Sequence, residues 1–270
     1  IDWVKERIAY WKLWFGILSI NQFNRLVNNY EEAMNLNSKF NIKNIDWSLY
    51  AILDKKYIQG RSITLLSEEL INGGAGVIQL RNKISETQGF YSDAVKVKEV
   101  TQKHGIPLII NDRLDIAMAV KAEGVHLGQR DLPLQVARSL IGNEMILGAS
   151  VHNLSEFYKA TEGGADYLGV GTIYPTETKE GLQIRGVQIV KTLRSKTNVP
   201  LVAIGGITLE NLTPVIEAGA DGVAVISALL EVKDVATQAK QFIQKIRSVK
   251  LSRNLGENNL TRSAGRPRPT

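Results

Sequence analysis

The sequence of 270 residues contains no cysteine, which excludes disulfide bridges and catalysis by a thiol. Only three histidines are present, and this scarcity argues against a metal site built from imidazoles. The nearest candidate for a membrane span, residues 13–20, falls far short of the roughly 20 residues that cross a bilayer. No secretory signal pattern opens the chain. We therefore expect a cytoplasmic protein without a membrane span.

The net charge of +6 suggests nucleic acid as a partner, but the distribution of the charge argues against one. Residues 1–45 carry six basic and four acidic residues, and residues 250–270 carry five and one. The excess therefore lies in the two flanks, and the middle of the chain is neutral. A nucleic-acid-binding domain usually concentrates its basic residues on the binding surface. The sequence predicts no nucleic-acid partner.

The first 45 residues differ in composition from the rest and are predicted to be a separate extension. They hold three of the four tryptophans, Trp3, Trp11 and Trp14. Apolar residues at helical spacing predict an amphipathic helix. Such a helix either packs on its own protein or on a second subunit of a homo-oligomer, or it lies at a membrane surface. Residues 21–44 are polar and rich in asparagine, as is typical of a linker. The start at Ile1 indicates a processed or truncated chain.

From residue 46 to residue 250, an apolar run, a polar or glycine break and an amphipathic helix follow one another eight times. This alternation indicates right-handed βαβ units and a parallel sheet. Eight units fit a closed (β/α)8 TIM barrel. The competing architecture, a doubly wound open sheet, usually shows a GxGxxG motif after its first strand, and residues 53–61 contain none. The predicted strands are 49–53, 77–80, 108–110, 124–127, 145–148, 167–170, 201–204 and 222–226. The predicted helices are 63–71, 92–104, 114–120, 134–141, 154–162, 187–196, 209–218 and 235–249.

Four further stretches are predicted to lie outside the site, three as structural turns and one as a disordered tail. Glycine-rich segments at 73–76, 163–166 and 219–222 each end a helix and begin a strand, which is typical of helix C-caps on the face opposite the active site. Residues 251–270 are basic, poor in apolar residues and without helical or strand periodicity. We predict that this tail is disordered.

The functional residues of such a barrel come from the carboxyl ends of the strands and the loops that follow. The second strand ends in Gln79-Leu80-Arg81-Asn82-Lys83, and alternation places Gln79, Arg81 and Lys83 on one side. An amide and two cations are costly in a dry core but suit a polyanion such as a diphosphate. The alternative is an ordinary charged surface loop.

Two aspartates, Asp112 and Asp131, follow the third and fourth strands. Mg²⁺ takes one or two carboxylates together with water and phosphate oxygens, so the pair resembles a magnesium site. The alternative is that each aspartate caps the helix that follows it. His152, after the fifth strand, is more typical of a structural or capping group.

A second anion site is predicted where the sixth, seventh and eighth strands end. The loop at 172–179 carries three threonines and Lys179, which donate hydrogen bonds and charge to an anion unless the loop is merely polar. Gly205-Gly206 and Ser227 follow the last two strands, where such barrels commonly bind phosphate. Two anion sites on one rim suit a reaction between a diphosphate and a monophosphate substrate.

Seven motifs, taken together and in order, resemble the thiamine phosphate synthase (thiamine-phosphate pyrophosphorylase) family. The similarity covers residues 47–249, and the family fold is a (β/α)8 barrel; the two flanks match nothing in it. The motifs are QLRNK at 79–83, NDR at 111–113, GVHLGQRDLP at 124–133, GASVHN at 148–153, GADYLGVGTIYPTETK at 164–179, AIGGI at 203–207 and GADGVAVISAL at 219–229.

The resemblance implies a Mg²⁺-dependent transferase of thiamine biosynthesis. Hydroxymethylpyrimidine diphosphate would react with a (carboxy)thiazole phosphate to give thiamine phosphate, pyrophosphate and CO2. By position, Asp112 and Asp131 would bind Mg²⁺, and Lys179, Arg81 and Ser150 would be catalytic. The pyrimidine diphosphate would contact Gln79, Leu80, Arg81, Asn82, Lys83, Asn111, Ser150 and Lys179. The thiazole phosphate would contact Thr176, Glu177, Thr178, Gly205, Gly206, Ile226 and Ser227.

Two alternatives stay open at this point. The thiazole tautomerase, a sister of the same barrel family, uses a histidine at the position of His152 but needs neither diphosphate nor metal. A non-catalytic barrel that senses thiamine precursors is the other. The joint presence of Lys83, Asp112 and Asp131 favours the synthase over both.

Overall fold

A computed structural model describes residues 42–176 and 183–264, and it contains the predicted closed barrel. Parallel strands pair in sequence order, and β1 also pairs with β8, which closes the sheet. The strands are β1 (Leu49–Asp54), β2 (Val77–Arg81), β3 (Leu108–Asn111), β4 (Gly124–Leu127), β5 (Ile146–Val151), β6 (Tyr167–Val170), β7 (Leu201–Ile204) and β8 (Gly222–Val225). The predicted fold class and its eight strands are confirmed, and β5 extends three residues further than predicted.

Helices follow the strands and form the outer layer of the barrel. They are α1 (Lys55–Ile58), α2 (Ile63–Asn72), α3 (Thr87–Lys103), α4 (Leu114–Ala119), α5 (Leu134–Ile141), α6 (Leu154–Glu162), α7 (Gln188–Arg194), α8 (Thr213–Glu217), α9 (Ser227–Leu230) and α10 (Val235–Ala264). The short helices α1 and α9 were not predicted, because four residues are too few to show a helical period. Within the described residues, no helix combines the length and apolarity needed to span a bilayer.

The last helix, α10, continues to Ala264 and covers most of the stretch for which the sequence predicted disorder. Its first half buries Phe242 and Ile246 completely. Beyond them, Arg253 Nη1 donates a hydrogen bond of 2.8 Å to the carbonyl oxygen of Ile216. An apolar stripe marks a helix only where it contacts the core, so the polar continuation left no periodic signal. Residues 1–41 and 265–270, where the extension and the end of the tail were predicted, lie outside the described residues.

The side chains of each strand alternate between two buried regions. One set, including Leu53 and Leu80, packs in the apolar layer between barrel and helices. The other set points into the barrel, and there the glycines of β5 and β6 make room for aromatic rings. A Cβ at Gly148 would overlap the ring of Tyr167, and one at Gly169 would lie 2.9 Å from His126 Cε1. The barrel interior is therefore shaped to hold large polar side chains just below its carboxyl face.

The opposite face of the barrel is closed by structural interactions, as the glycine-rich segments predicted. Acidic residues at the starts of three strands each accept a hydrogen bond from a backbone N–H of the neighbouring strand. Each also forms an ion pair with a basic side chain from a helix. Asp166, for example, accepts from Leu147 N at 2.8 Å and pairs with Arg138 Nη2 at 2.6 Å. Asp221 repeats this arrangement with Leu201 and Arg194. These carboxylates stabilise the sheet and lie away from the site described next.

Candidate active site

All eight strands contribute to one cavity at their carboxyl ends. Counted together with the open solvent at its mouth, its free space is about 990 Å³. Nine predicted site residues line it. They are Gln79, Arg81, Asn111, Ser150, Thr176, Gly205, Gly206, Ile226 and Ser227. The structure thus brings predicted residues from six strand ends and the loops that follow them to one place.

Other predicted site residues have different positions. Leu80 is fully buried in the layer between barrel and helices, so its side chain does not line the cavity. Asn82 accepts hydrogen bonds from the backbone of Ile84 and Ser85, which shapes the loop after β2 rather than the cavity wall. Neither side chain lines the cavity, and the contact of these two residues with the pyrimidine diphosphate stays a prediction. Glu177, Thr178 and Lys179 lie outside the described residues.

Arg81 is fixed in the cavity wall by an acidic partner from the neighbouring strand. Its Nη1 pairs with Oδ2 of Asp54, whose side chain is 2% exposed. The other oxygen of Asp54 accepts a hydrogen bond from Lys56 N and caps α1. Arg81 Nε is buried and has no hydrogen-bond partner within the described residues. The guanidinium is therefore oriented by one edge while part of its hydrogen-bonding capacity stays available.

The two predicted metal ligands lie together beside a cation at the rim of the barrel. Lys83 Nζ is 2.7 Å from Asp112 Oδ2, and the carboxyl groups of Asp112 and Asp131 are close enough to shift each other's pKa. Asp131 Oδ2 also accepts from Gly128 N at 2.6 Å. Neither carboxylate caps the following helix, because α4 and α5 begin at residues without a side-chain cap bond. The capping alternative for these aspartates is therefore wrong.

The two carboxyl groups have pKa values shifted in opposite directions. Burial alone would raise the pKa of Asp112, but hydrogen bonds with Lys83 and Asp131 bring it below its ordinary value. Burial raises the pKa of Asp131, the Gly128 amide opposes the rise, and the nearby charge of Asp112 adds to it. Two adjacent carboxyls that cannot both ionise comfortably form a site that a cation would stabilise.

The described residues contain no cluster of three or more histidine, aspartate or glutamate side chains that could hold a metal ion. Two adjacent carboxylates are nevertheless a donor set that suits Mg²⁺, which usually completes its shell with water and phosphate oxygens. The chemistry of Asp112 and Asp131 therefore fits this ion when a phosphorylated substrate supplies further oxygens.

Across the cavity, Gly205 and Gly206 form a turn with φ of +107° and +61°. A side chain at Gly206 would overlap the carbonyl oxygen of Pro175, so glycine is required by conformation and by space. Asn211 fastens the turn, because its Nδ2 donates to Gly206 O at 2.9 Å and its Oδ1 accepts from Thr208 N at 2.8 Å. The backbone here can approach a ligand closely.

Deeper in the barrel, sequence reasoning missed a row of hydrogen-bonded side chains. Tyr50, His126 and Tyr167 line the cavity beside Gln79 and Ser150. The signal that could have found them is strand alternation, since each occupies a cavity-facing position of its strand. Without the register between strands, that alternation does not say which side faces inward.

His152 also lines the cavity but is tied to the helix that follows. Its Nδ1 lies 2.7 Å from Oε2 of Glu156, and the same oxygen accepts from His152 N at 2.8 Å. Asn153 and Glu156 complete a capping arrangement at the start of α6. This agrees with the structural role that the sequence favoured for this histidine.

Comparisons with known proteins agree with the family that the motifs predicted. A sequence model described as thiamine monophosphate synthase matches residues 49–229. A thiamine-phosphate synthase of Clostridium acetobutylicum is 44% identical over 199 residues, covering 74% of this chain and 94% of that protein. One from Methanobrevibacter smithii is 42% identical over 207 residues, covering 77% and 99%. The solved thiamine phosphate pyrophosphorylase of Pyrococcus furiosus superposes with a TM-score of 0.70 at 33% identity, covering 76% and 98%. The chain therefore belongs to the thiamine monophosphate synthase family, as its motifs predicted.

Proposed function

We propose that this chain joins hydroxymethylpyrimidine diphosphate to a (carboxy)thiazole phosphate, releasing thiamine phosphate, pyrophosphate and, from the carboxylated substrate, CO2. One observation carries the proposal. A single cavity has Arg81 at its β2 edge, beside the loops that carry Lys83 and Asp112, and glycines and hydroxyls at its β6–β8 edge. Two anionic substrates can therefore bind side by side above the barrel.

The diphosphate would bind at the cationic edge, between Arg81 and Lys83. Asp54 holds one edge of the Arg81 guanidinium, so the remaining N–H groups are preorganised for phosphate oxygens. Lys83, whose side chain is 52% exposed, can move from Asp112 to the incoming diphosphate. Both cations stabilise the negative charge that develops on the leaving pyrophosphate.

Asp112 and Asp131 would hold Mg²⁺ together with the diphosphate. When bound, the ion would supply positive charge to the phosphate oxygens of the leaving group. In this arrangement the positive charge of Lys83 balances the Asp112 carboxylate. Neither Asp112 nor Asp131 caps the helix that follows it, so the oxygens of both carboxylates can serve as ligands.

The bond that breaks joins the methylene carbon of the pyrimidine to the diphosphate oxygen, and its electron pair leaves with pyrophosphate. The thiazole nitrogen then donates its lone pair to the same carbon. Breaking this bond leaves positive charge on the methylene carbon, and the electron-rich aminopyrimidine stabilises that charge. The protein therefore needs to orient both rings rather than supply a strong base. Gln79, Asn111 and Ser150 surround the position proposed for the pyrimidine.

The thiazole phosphate would bind at the opposite edge of the cavity. Thr176, Gly205, Gly206 and Ser227 offer hydroxyl and backbone donors there, and Ile226 adds apolar contact. We further propose Glu177, Thr178 and Lys179 for this loop, with Lys179 joining Arg81 and Ser150 as a catalytic residue.

The test is to mix the two phosphorylated precursors with the full chain and to measure pyrophosphate and thiamine phosphate. We expect both products in equal amounts, and only when Mg²⁺ is present. Lys83→Met should reduce turnover, whereas Lys103→Met, an exposed lysine at the far end of α3, should leave it unchanged. Binding of precursors without release of pyrophosphate would contradict the synthase and favour a sensor.

A further inference from the structure

Five side chains inside the barrel are joined by four consecutive hydrogen bonds. Gln79 Nε2 lies 2.8 Å from Tyr50 OH, which lies 2.7 Å from Tyr167 OH. Tyr167 OH lies 2.9 Å from Nδ1 of His126, and Nε2 of the same ring lies 2.9 Å from Ser150 Oγ. The row begins at one wall of the cavity and ends at another.

The direction of every bond in the row follows from counting protons. Gln79 Nε2 can only donate, so the single proton of Tyr50 is directed to Tyr167. Tyr167 then accepts from Tyr50 and directs its own proton to Nδ1 of His126. If Nδ1 of His126 also carried a proton, the buried hydroxyl of Tyr167 would have no acceptor among the side chains described around it. Leaving a buried donor unpaired is costly.

The remaining proton of the neutral imidazole is therefore on Nε2, which donates to Ser150 Oγ. The serine hydroxyl accepts this bond and keeps its own proton for another acceptor. Ser150 lines the cavity, where a ligand can supply that acceptor.

We propose that Tyr167 and His126 are positioning residues that hold Ser150 as a hydrogen-bond donor to the pyrimidine diphosphate. This inference rests on the proposed function, which places that substrate beside Ser150. It specifies the chemistry of recognition, because the substrate atom facing Ser150 must be an acceptor, a ring nitrogen or a phosphate oxygen. A substrate that presents only an N–H at this point would leave the proton of Ser150 without an acceptor.

Burial makes the row rigid enough to impose a direction. Tyr50 and Tyr167 are 2% and 1% exposed, and burial raises the pKa of both phenols well above the ordinary value. Both hydroxyls therefore keep their protons in the physiological range. Trp47 packs against the Tyr167 ring with centroids 4.7 Å apart, which fixes the phenol from below.

The first test is nitrogen NMR of the full chain labelled on its three histidines. We expect His126 to carry its proton on Nε2 and to show an unprotonated Nδ1; His126→Gln identifies its signals by their loss. His152 is the internal reference, because its Nδ1 must be protonated to donate to the Glu156 carboxylate. A proton on Nδ1 of His126 would overturn the proposal, and this result does not depend on turnover.

The second test is a double-mutant cycle with Tyr167→Phe and Ser150→Ala. Each single variant should weaken binding of the pyrimidine diphosphate by about three- to tenfold, as expected for one hydrogen bond. The double variant should bind no more weakly than Ser150→Ala alone, and the KM for the thiazole phosphate should stay unchanged. Effects that multiply would overturn the proposal, because a purely structural role of Tyr167 is independent of Ser150.

Two controls separate the possible failures. Tyr50→Phe interrupts the row one step earlier and replaces Tyr167→Phe if that variant does not fold. Direct calorimetric binding of the pyrimidine diphosphate replaces kinetics if wild-type protein forms no product. In that case the proposed function fails, while the histidine NMR and the binding cycle still decide the inference.

Discussion

Lys83 Nζ lies 2.7 Å from Asp112 Oδ2, and the Asp112 carboxyl group in turn interacts with that of Asp131. One cation balances one of two adjacent carboxylates and leaves the other as excess negative charge. Under the proposed function, a divalent cation that arrives with the diphosphate would place positive charge beside this carboxyl pair.

We predict that Asp112→Asn and Asp131→Asn each lower kcat by about 10²-fold or more, because leaving-group stabilisation dominates the barrier. Steady-state turnover at limiting and saturating Mg²⁺ measures the effect. The matched control is Asp115→Asn, which removes only an exposed pair with Arg113 on α4. Activity near the wild-type value at limiting Mg²⁺ in either variant would show that the metal assignment is wrong.

The same two variants should change stability in opposite directions when Mg²⁺ is chelated. The lowered pKa of Asp112 contributes stability that is present above its ordinary pKa and is lost as the pH falls through the folded value. The raised pKa of Asp131 favours its protonated form, so its contribution is present at low pH and is lost as the pH rises through the folded value.

At pH 7, Asp112→Asn should therefore lower the free energy of unfolding and Asp131→Asn should raise it, although both lose activity. Urea unfolding at pH 7 and at pH 3 measures this. The two variants should converge with the wild type at low pH, where both carboxyls are protonated. A destabilised Asp131→Asn at pH 7 would mean that its carboxylate is held favourably by groups other than Asp112.

The glycine turn after β7 gives a third prediction. Gly206→Ala should raise the KM for the thiazole phosphate and lower the melting temperature, because its Cβ would overlap Pro175 O and push the turn away from the cavity. Gly105→Ala is the control, with a φ of +65° but no atom within 4 Å of the added Cβ. It should cost only the strain of about 1 kcal/mol and leave KM unchanged. Equal KM values in the two variants would remove the turn from the phosphate site.

His152 separates the synthase from the tautomerase. His152→Ala should leave thiamine phosphate formation mostly intact, since its Nδ1 is engaged by Glu156 at the start of α6. A modest loss of stability of about 1 kcal/mol is expected from the weakened cap. Turnover of both substrates and a thermal melt measure the two effects. A loss as large as that of Asp112→Asn would instead assign the imidazole a direct chemical role.

The sequence predicted what depends on local periodicity and on linear motifs. Strand ends such as 79–83 put Gln79 and Arg81 in the cavity because alternation continues through the motif. Alternation also agrees with the outward packing of Leu80, which only the family resemblance had included among the site residues.

Contacts between distant segments could not be predicted in this way. Asp54 and Arg81 meet because β1 and β2 pair in one particular register. Tyr167 and His126 meet because two glycines vacate the barrel interior. Neither relationship leaves a periodic signal in the chain.

The flanks provide the last prediction, because the barrel closes between β1 and β8 without them. A chain of residues 42–264 should fold and keep full turnover. A chain of residues 46–250, the boundary that the sequence predicted, should also turn over but melt lower. It lacks Arg253, whose hydrogen bond to Ile216 O joins the second half of α10 to α8.

One such bond contributes about 1 kcal/mol, which corresponds to a melting temperature lower by roughly 2–4 °C in a domain of this size. Arg253→Met in the full chain should reproduce the shift if this contact is its cause. A shorter chain that melts like the longer one would show that α10 beyond residue 250 adds no stability. Aggregation of both trimmed chains would show that residues 1–41 cover apolar surface of the barrel, and lost turnover at unchanged stability would place them at the active-site rim.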